Sequence, residues 1–253
     1  MDNKLVLLEV QDNVGIVKLN HGVTNAINLD LVNELSDSIQ KAKSEFRLHG
    51  LVFTSSNDKF FSIGFNLPEL IELPEQDLRH FYTSFNQMCI ELLTFPRPTI
   101  AAISGHAIAG GCILALCCDY RFIAEGHKLM GLNEIKLGLP VPYVADCILR
   151  SLVGIRHARE ITDTGEFYQP EASLQMGLVD AVLPLEDVLA NALEKACLIG
   201  SYPENAFATI KRNRIEEIDD QIRAKLEERE QIFLSSWFSK PAQESLQEAT
   251  ANF

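Results

Sequence analysis

The sequence predicts an α/β fold that ends in a helical region. Strand-like and helix-like segments alternate over roughly the first 185 residues, and from about Leu185 onward the signals are nearly all helical. No low-complexity linker interrupts the 253 residues, which suffice for one large core, alone or with an appendage.

The elements follow in order. Residues 4–10 and 15–19 are rich in Val, Leu and Ile, and Asp12-Asn13 between them forms turns, so they read as a β-hairpin. Asn28 or Asp30 caps a helix running to about Phe46, with Leu31, Leu35, Ile39 and Ala42 at helical spacing. Leu51-Val52-Phe53 is a buried strand, and a polar loop over 54–58 leads into Phe60 to Asn66. A helix over about 76–94 is stopped by Pro96-Arg97-Pro98, which launches a strand over 99–104. Residues 105–111 are rich in Gly and Ala, and an apolar helix follows over about 110–117. A strand over 120–124, helices over 145–152 and 156–163, a short helix from about Pro170 and a strand over 178–182 complete the alternating part. Residues 215–238 form the longest helical segment, with Leu226, Ile232 and Phe233 on its apolar side. Periodicity leaves open whether these last helices cover the core or pack against another subunit.

Composition narrows the class. At 47% hydrophobic and 23% charged residues, the chain reads as an ordinary globular protein rather than a disordered or membrane-embedded one. The net charge is −13, and the densest basic stretch, Lys211, Arg212 and Arg214, is followed at once by acids. That argues against nucleic acid, whose binding rests on neutralised phosphates. An anionic cofactor held by local donors stays compatible. Six cysteines lie mostly in apolar surroundings, without a CxxC pair, and the histidines are not spaced as metal ligands. Free core thiols and no metal are expected. No leader-like segment opens the chain, no apolar stretch of about 20 residues could span a bilayer, and Ala251-Asn252-Phe253 is not a peroxisomal address. The expected location is cytoplasmic, with no membrane partner.

Three segments could carry chemistry. Ser104-Gly105-His106-Ala107-Ile108-Ala109-Gly110-Gly111 crowds small residues at a strand-to-helix junction. Free N–H groups there suit an anion or a developing oxyanion, or the small residues serve only tight packing. Phe61-Ser62-Ile63-Gly64-Phe65-Asn66 is a glycine turn that either exposes the Phe65 N–H or is a plain turn. Gly131-Leu132-Asn133-Glu134, followed by Ile135 to Pro140, places one carboxyl among few polar neighbours. Desolvation there would raise its pKa toward that of a general base; a surface glutamate or helix cap is the alternative.

In this order, the segments resemble the enoyl-CoA hydratase/isomerase (crotonase) superfamily. The resemblance extends over Asn25-Ala26-Ile27-Asn28, Pro98 to Gly105, Cys118-Asp119-Tyr120-Arg121 and Ala172 to Val182. It implies a spiral of ββα units over 1–195 holding the site, and a helical region over 196–253 that covers the core and builds a homotrimer or a dimer of trimers. It implies an acyl-CoA substrate, with coenzyme A part of that substrate and no separate cofactor. By position, the Phe65 and Gly110 amides become the oxyanion donors, and Ala26 and Asn28 border the coenzyme A path.

One departure points to the reaction. Hydratases of the superfamily carry two glutamates; here the first position is Ile113 and the second is Glu134. Hydration needs a positioned water and a delivered proton, whereas moving a double bond from C3 to C2 needs one proton shuttle. Ala109 to Cys112, Cys118 to Arg121, Gly131 to Glu134 and Phe238-Ser239-Lys240 are also similar to Δ3,Δ2-enoyl-CoA isomerases of the mitochondrial type. The expected reaction is therefore 3-enoyl-CoA to 2-trans-enoyl-CoA, with Ile63, Ile113, Leu137 and Pro140 lining the acyl pocket and Ile113 excluding water. The alternatives are hydration or thioester hydrolysis within the family, and a non-catalytic acyl-CoA-binding paralogue. Catalytic roles are not assigned to His106, Asp119, Ser62 or Lys240, and Glu227 to Glu230 reads as a solvated helix face.

Overall fold

The computed structural model describes residues 4–45 and 47–251. The hairpin forms as β1 (Val6–Gln11) and β2 (Val14–Leu19), turned by Asp12 and Asn13, both with positive φ. Helix α1 (Leu29–Ser44) is capped by Asn28, whose Oδ1 accepts the Leu31 N–H at 3.0 Å. Its expected end at Phe46, and the readings of Met1 to Asn3 and of Asn252-Phe253, lie outside the described residues.

Three ββα turns follow. The first is β3 (Gly50–Ser55), β4 (Phe60–Ser62), α2 (Leu67–Leu70) and α3 (Glu75–Leu93). The second is β5 (Thr99–Ile103), β6 (His106–Ile108) and α4 (Gly110–Leu116). The third is β7 (Tyr120–Ala124), β8 (Met130–Gly131), a 3-10 turn (Glu134–Leu137) and α5 (Tyr143–Thr164). Then come α6 (Pro170–Met176), β9 (Ala181–Leu183), α7 (Leu185–Gly200), α8 (Glu204–Trp237) and α9 (Lys240–Thr250).

Each turn sends one strand to each of two sheets. The larger runs β1-β2-β3-β5-β7-β9, parallel except for the β1–β2 pair; the smaller is the parallel set β4-β6-β8. The short strands β4, β6 and β8 lie in segments that the sequence presents only as loops or Gly-rich junctions. At two or three residues they carry no alternation to detect.

Strands covered on both faces read as continuous apolar runs. Phe53 and Ala101 point into the main core with α1, α3, α4 and α5, while Val52, Ile100 and Ala102 point to the other face and meet Val188, Ala192 and Ala196 of α7. The boundary expected at 195/196 thus falls inside α7, a helix seated on the sheet. The two helices expected over 145–163 form one run broken at Gly154, whose φ of 73° suits glycine. The last strand begins at Ala181 rather than Leu178, because Leu178 and Val179 direct their N–H groups to the Ser173 carbonyl.

Helix α8 is 34 residues long, about 51 Å. Near its start, Lys211 and Arg214 bind the two oxygens of Asp119, at 2.7 and 2.6 Å, and Asp119 Oδ2 also accepts from Thr99 N and Oγ1. Asp119 is a structural clamp between sheet and helix. Phe233, Leu234 and Trp237 at the far end of α8 and Ala242 and Leu246 of α9 pack into the main core, where α9 lays Ala242 against Gly138. The C-terminal helices therefore cover the core of their own chain. Among the described residues, no helix is long and apolar enough to cross a membrane.

Candidate active site

The C-terminal ends of β4, β6 and β8 converge, and each leads into one of the three segments singled out above. After β4, Ser62 Oγ donates to the Asn25 carbonyl at 2.7 Å and accepts the Gly64 N–H, which fixes the turn. Ile27 then bridges this strand end: its N–H reaches the Gly64 carbonyl and its carbonyl takes the Asn66 N–H. In such a bridge the intervening Phe65 N–H faces away from Ile27. Gly64 has φ +96°, and a Cβ there would stand 2.8 Å from the Gly110 nitrogen. The two turns are therefore in direct contact.

After β6, Ala109 adopts φ 47° and ψ −119°, unusual for a residue with a side chain, and its N–H bonds the Gly131 carbonyl at 2.9 Å. The strained step rotates the next peptide, so Gly110 opens α4 with a free amide. Among the described residues, neither the Phe65 nor the Gly110 N–H donates a hydrogen bond within the protein.

After β8, Leu132 is buried and the chain enters the 3-10 turn at Glu134. Glu134 is 6% exposed. Burial pushes its carboxyl from the ordinary 4.5 up to about 7, against a smaller lowering by its own backbone N–H. Its Oε2 makes no hydrogen bond among the described residues; Asn133 Oδ1 and Trp237 Nε1 share that condition. Unpaired buried polar atoms are uncommon, and these three belong to residues bordering one cavity.

The cavity has a volume of about 230 Å³. Ile63, Phe65, Gly110, Glu134 and Leu137, expected from the sequence, all line it, beside Leu67, Ile108, Leu139, Pro142, Phe167, Phe233, Trp237 and Ala249. Glu134 is its one ionisable lining residue among those described. A lone carboxyl near pH 7 in apolar walls can both take and return a proton close to neutrality. Two free amides on turns that touch are suited to an oxygen that gains negative charge.

Two residues expected to line the pocket, Ile113 and Pro140, lie elsewhere. Ile113 does not line this cavity: it sits one turn into α4, a helix buried all round, and is 1% exposed in the core. Pro140 lines a neighbouring groove instead, while Leu139 and Pro142 on either side of it reach the cavity. Ala26 is buried, and Asn28 is occupied as the α1 cap and as a donor to Glu69 Oε2 at 3.0 Å. Neither lines the apolar cavity, and both were expected along the coenzyme A path outside it. Sequence reading did not connect Phe233 and Trp237 with the site. Their spacing of four marks an apolar stripe on an otherwise polar helix, but nothing local says what that stripe meets. Of the residues without assigned catalytic roles, His106 accepts the Leu129 N–H through Nδ1 at 3.0 Å, and the Lys240 side chain is 88% exposed.

The family model for enoyl-CoA hydratase/isomerase matches residues 9–251. The chain belongs to the enoyl-CoA hydratase/isomerase family. Mouse mitochondrial enoyl-CoA delta isomerase 1 is 31% identical over 193 residues, 75% of this chain and 67% of that protein. The short-chain-enoyl-CoA hydratase of Clostridium acetobutylicum is 28% identical over 215 residues, 85% of this chain and 81% of that protein. The crystal structure of human mitochondrial delta3-delta2-enoyl-CoA isomerase superposes with a TM-score of 0.95 at 27% identity, covering 98% of both chains. This enoyl-CoA hydratase/isomerase family enzyme thus resembles proteins of both reaction types at similar identity, and the distinction between them rests on the site.

Proposed function

We propose that the chain isomerises 3-enoyl-CoA to 2-trans-enoyl-CoA with Glu134 as the proton shuttle. The observation that carries this reading is the single carboxyl in the cavity, raised to about 7 by burial. The Glu134 carboxylate removes a C2 proton, and the C–H electrons enter a dienolate whose charge rests on the thioester oxygen. The Phe65 and Gly110 amides hold that oxygen; such donors contribute roughly 3–4 kcal/mol each. The protonated Glu134 then delivers its proton to C4, and the double bond lies between C2 and C3. No water is consumed, which matches an apolar cavity with one ionisable residue among those described. Hydration is disfavoured because the position of a second glutamate is Ile113, in the core.

Coenzyme A enters as part of the substrate, and the homotrimer or dimer of trimers implied by the resemblance belongs to the same proposal, testable by sedimentation. The deciding assay follows a 3-enoyl-CoA by the absorbance of the conjugated thioester, with crotonyl-CoA hydration in parallel. Conjugation without comparable hydration is expected. Faster loss of crotonyl-CoA than gain of conjugation would reassign the chain to hydration.

A further inference from the structure

The apolar cavity ends on a wall with open space behind it. Phe233 and Leu139 line the cavity, and the same two residues line a separate groove of about 560 Å³. They form a partition one side chain thick. The Phe233 ring is held by stacking on Tyr82, centroids 3.9 Å apart and planes 6° from parallel, and Tyr82 stands on the groove side. Leu139 is held by its N–H, which donates to the Glu134 carbonyl at 3.0 Å. Both residues are nearly fully buried, so the partition is packed from both directions. Beyond it the groove sets Pro140, Val141 and Ile232 beside the charged Asp146, Arg150 and Arg229.

We propose that Phe233 and Leu139 set the acyl-chain limit of this enzyme, restricting it to short acyl groups, and that removing either joins the cavity to the groove behind it. The proposal rests on the acyl-CoA reading of the cavity. An apolar cavity of about 150 Å³ holds a six-carbon ring. By that scale the 230 Å³ here takes about nine non-hydrogen atoms. The thioester oxygen and sulfur occupy two of these, which leaves an acyl chain of about seven carbons. Each methylene buried before the wall strengthens binding by about fourfold; a methylene that meets the wall must displace Phe233 from Tyr82.

The test is calorimetric binding of saturated acyl-CoA thioesters, butanoyl to dodecanoyl, to the full chain and to Phe233→Ala and Leu139→Ala. In the unaltered chain, affinity should climb to about hexanoyl and fall at least tenfold by decanoyl. Either variant should move the break to decanoyl or beyond. Leu139→Ala opens the partition from the loop side and carries the test if loss of Phe233 prevents folding. Dodecanoyl-CoA bound as tightly as hexanoyl-CoA by the unaltered chain would overturn the proposal, as would an unmoved break in a folded variant or no binding of any thioester. Parallel turnover of 3-enoyl-CoA separates this inference from the isomerase reading. A break in binding without turnover leaves the partition standing and sinks the isomerase; turnover without a break does the reverse.

Discussion

Replacing Glu134 by Gln is expected to remove activity and, at the same time, to stabilise the fold at neutral and alkaline pH. The carboxyl ionises at about 7 in the folded chain against an ordinary 4.5. Below the unfolded value the group is protonated in both states, and its contribution to the fold is fully present. As pH rises from 4.5 toward 7, the unfolded chain ionises first and draws the equilibrium its way, by about 1.4 kcal/mol per pH unit. Above the folded pKa the loss is complete, at about 3 kcal/mol. Gln cannot ionise, so the variant escapes that loss. Urea unfolding of both proteins between about pH 4 and pH 8 should show curves that nearly coincide in acid and separate by about 3 kcal/mol in base. Turnover should fall by about 10²–10⁴-fold. A stability difference that stays constant across the range would refute the claim that burial raises this carboxyl.

The same titration predicts that kcat/KM rises with pH to a plateau through about 7, because the reaction starts from the carboxylate; a flat profile from about pH 5 to pH 9, about two units either side, would exclude Glu134 as the base. Gly64→Ala places a Cβ 2.8 Å from the Gly110 nitrogen and should cost about 10²–10³ in kcat while the folded protein retains its far-ultraviolet circular dichroism. Asp119→Ala leaves Lys211 buried without its counter-charge and should destabilise the fold by about 3–5 kcal/mol in urea titration, with turnover per folded molecule preserved.

Much of this was readable along the chain because it depends on neighbours in sequence. The alternation of elements follows from apolar periodicity and from punctuation by Asn28, Pro96 and Pro98. The three site segments follow from small residues that permit close turns. Glu134 could be named because its flanks are Gly, Leu, Ile and Pro, a composition that announces desolvation before any coordinate does.

Other features depend on contacts between distant parts. Asn28 or Asp30 could cap α1, and only the geometry at the start of that helix shows Asn28 in the role, with a second bond to Glu69. Ile113 sits at the expected register, yet α4 is surrounded on all sides and turns that side chain into the core. The wall made by Phe233 and Leu139 joins residues 94 positions apart (233 minus 139), and no local pattern encodes such a meeting. Hydrophobic patterning states that a face will be buried and is silent about its partner. Which chemistry-bearing turns exist was therefore written in the chain, whereas the shape of the space they enclose arose when the far end of α8 set Phe233 and Trp237 against it.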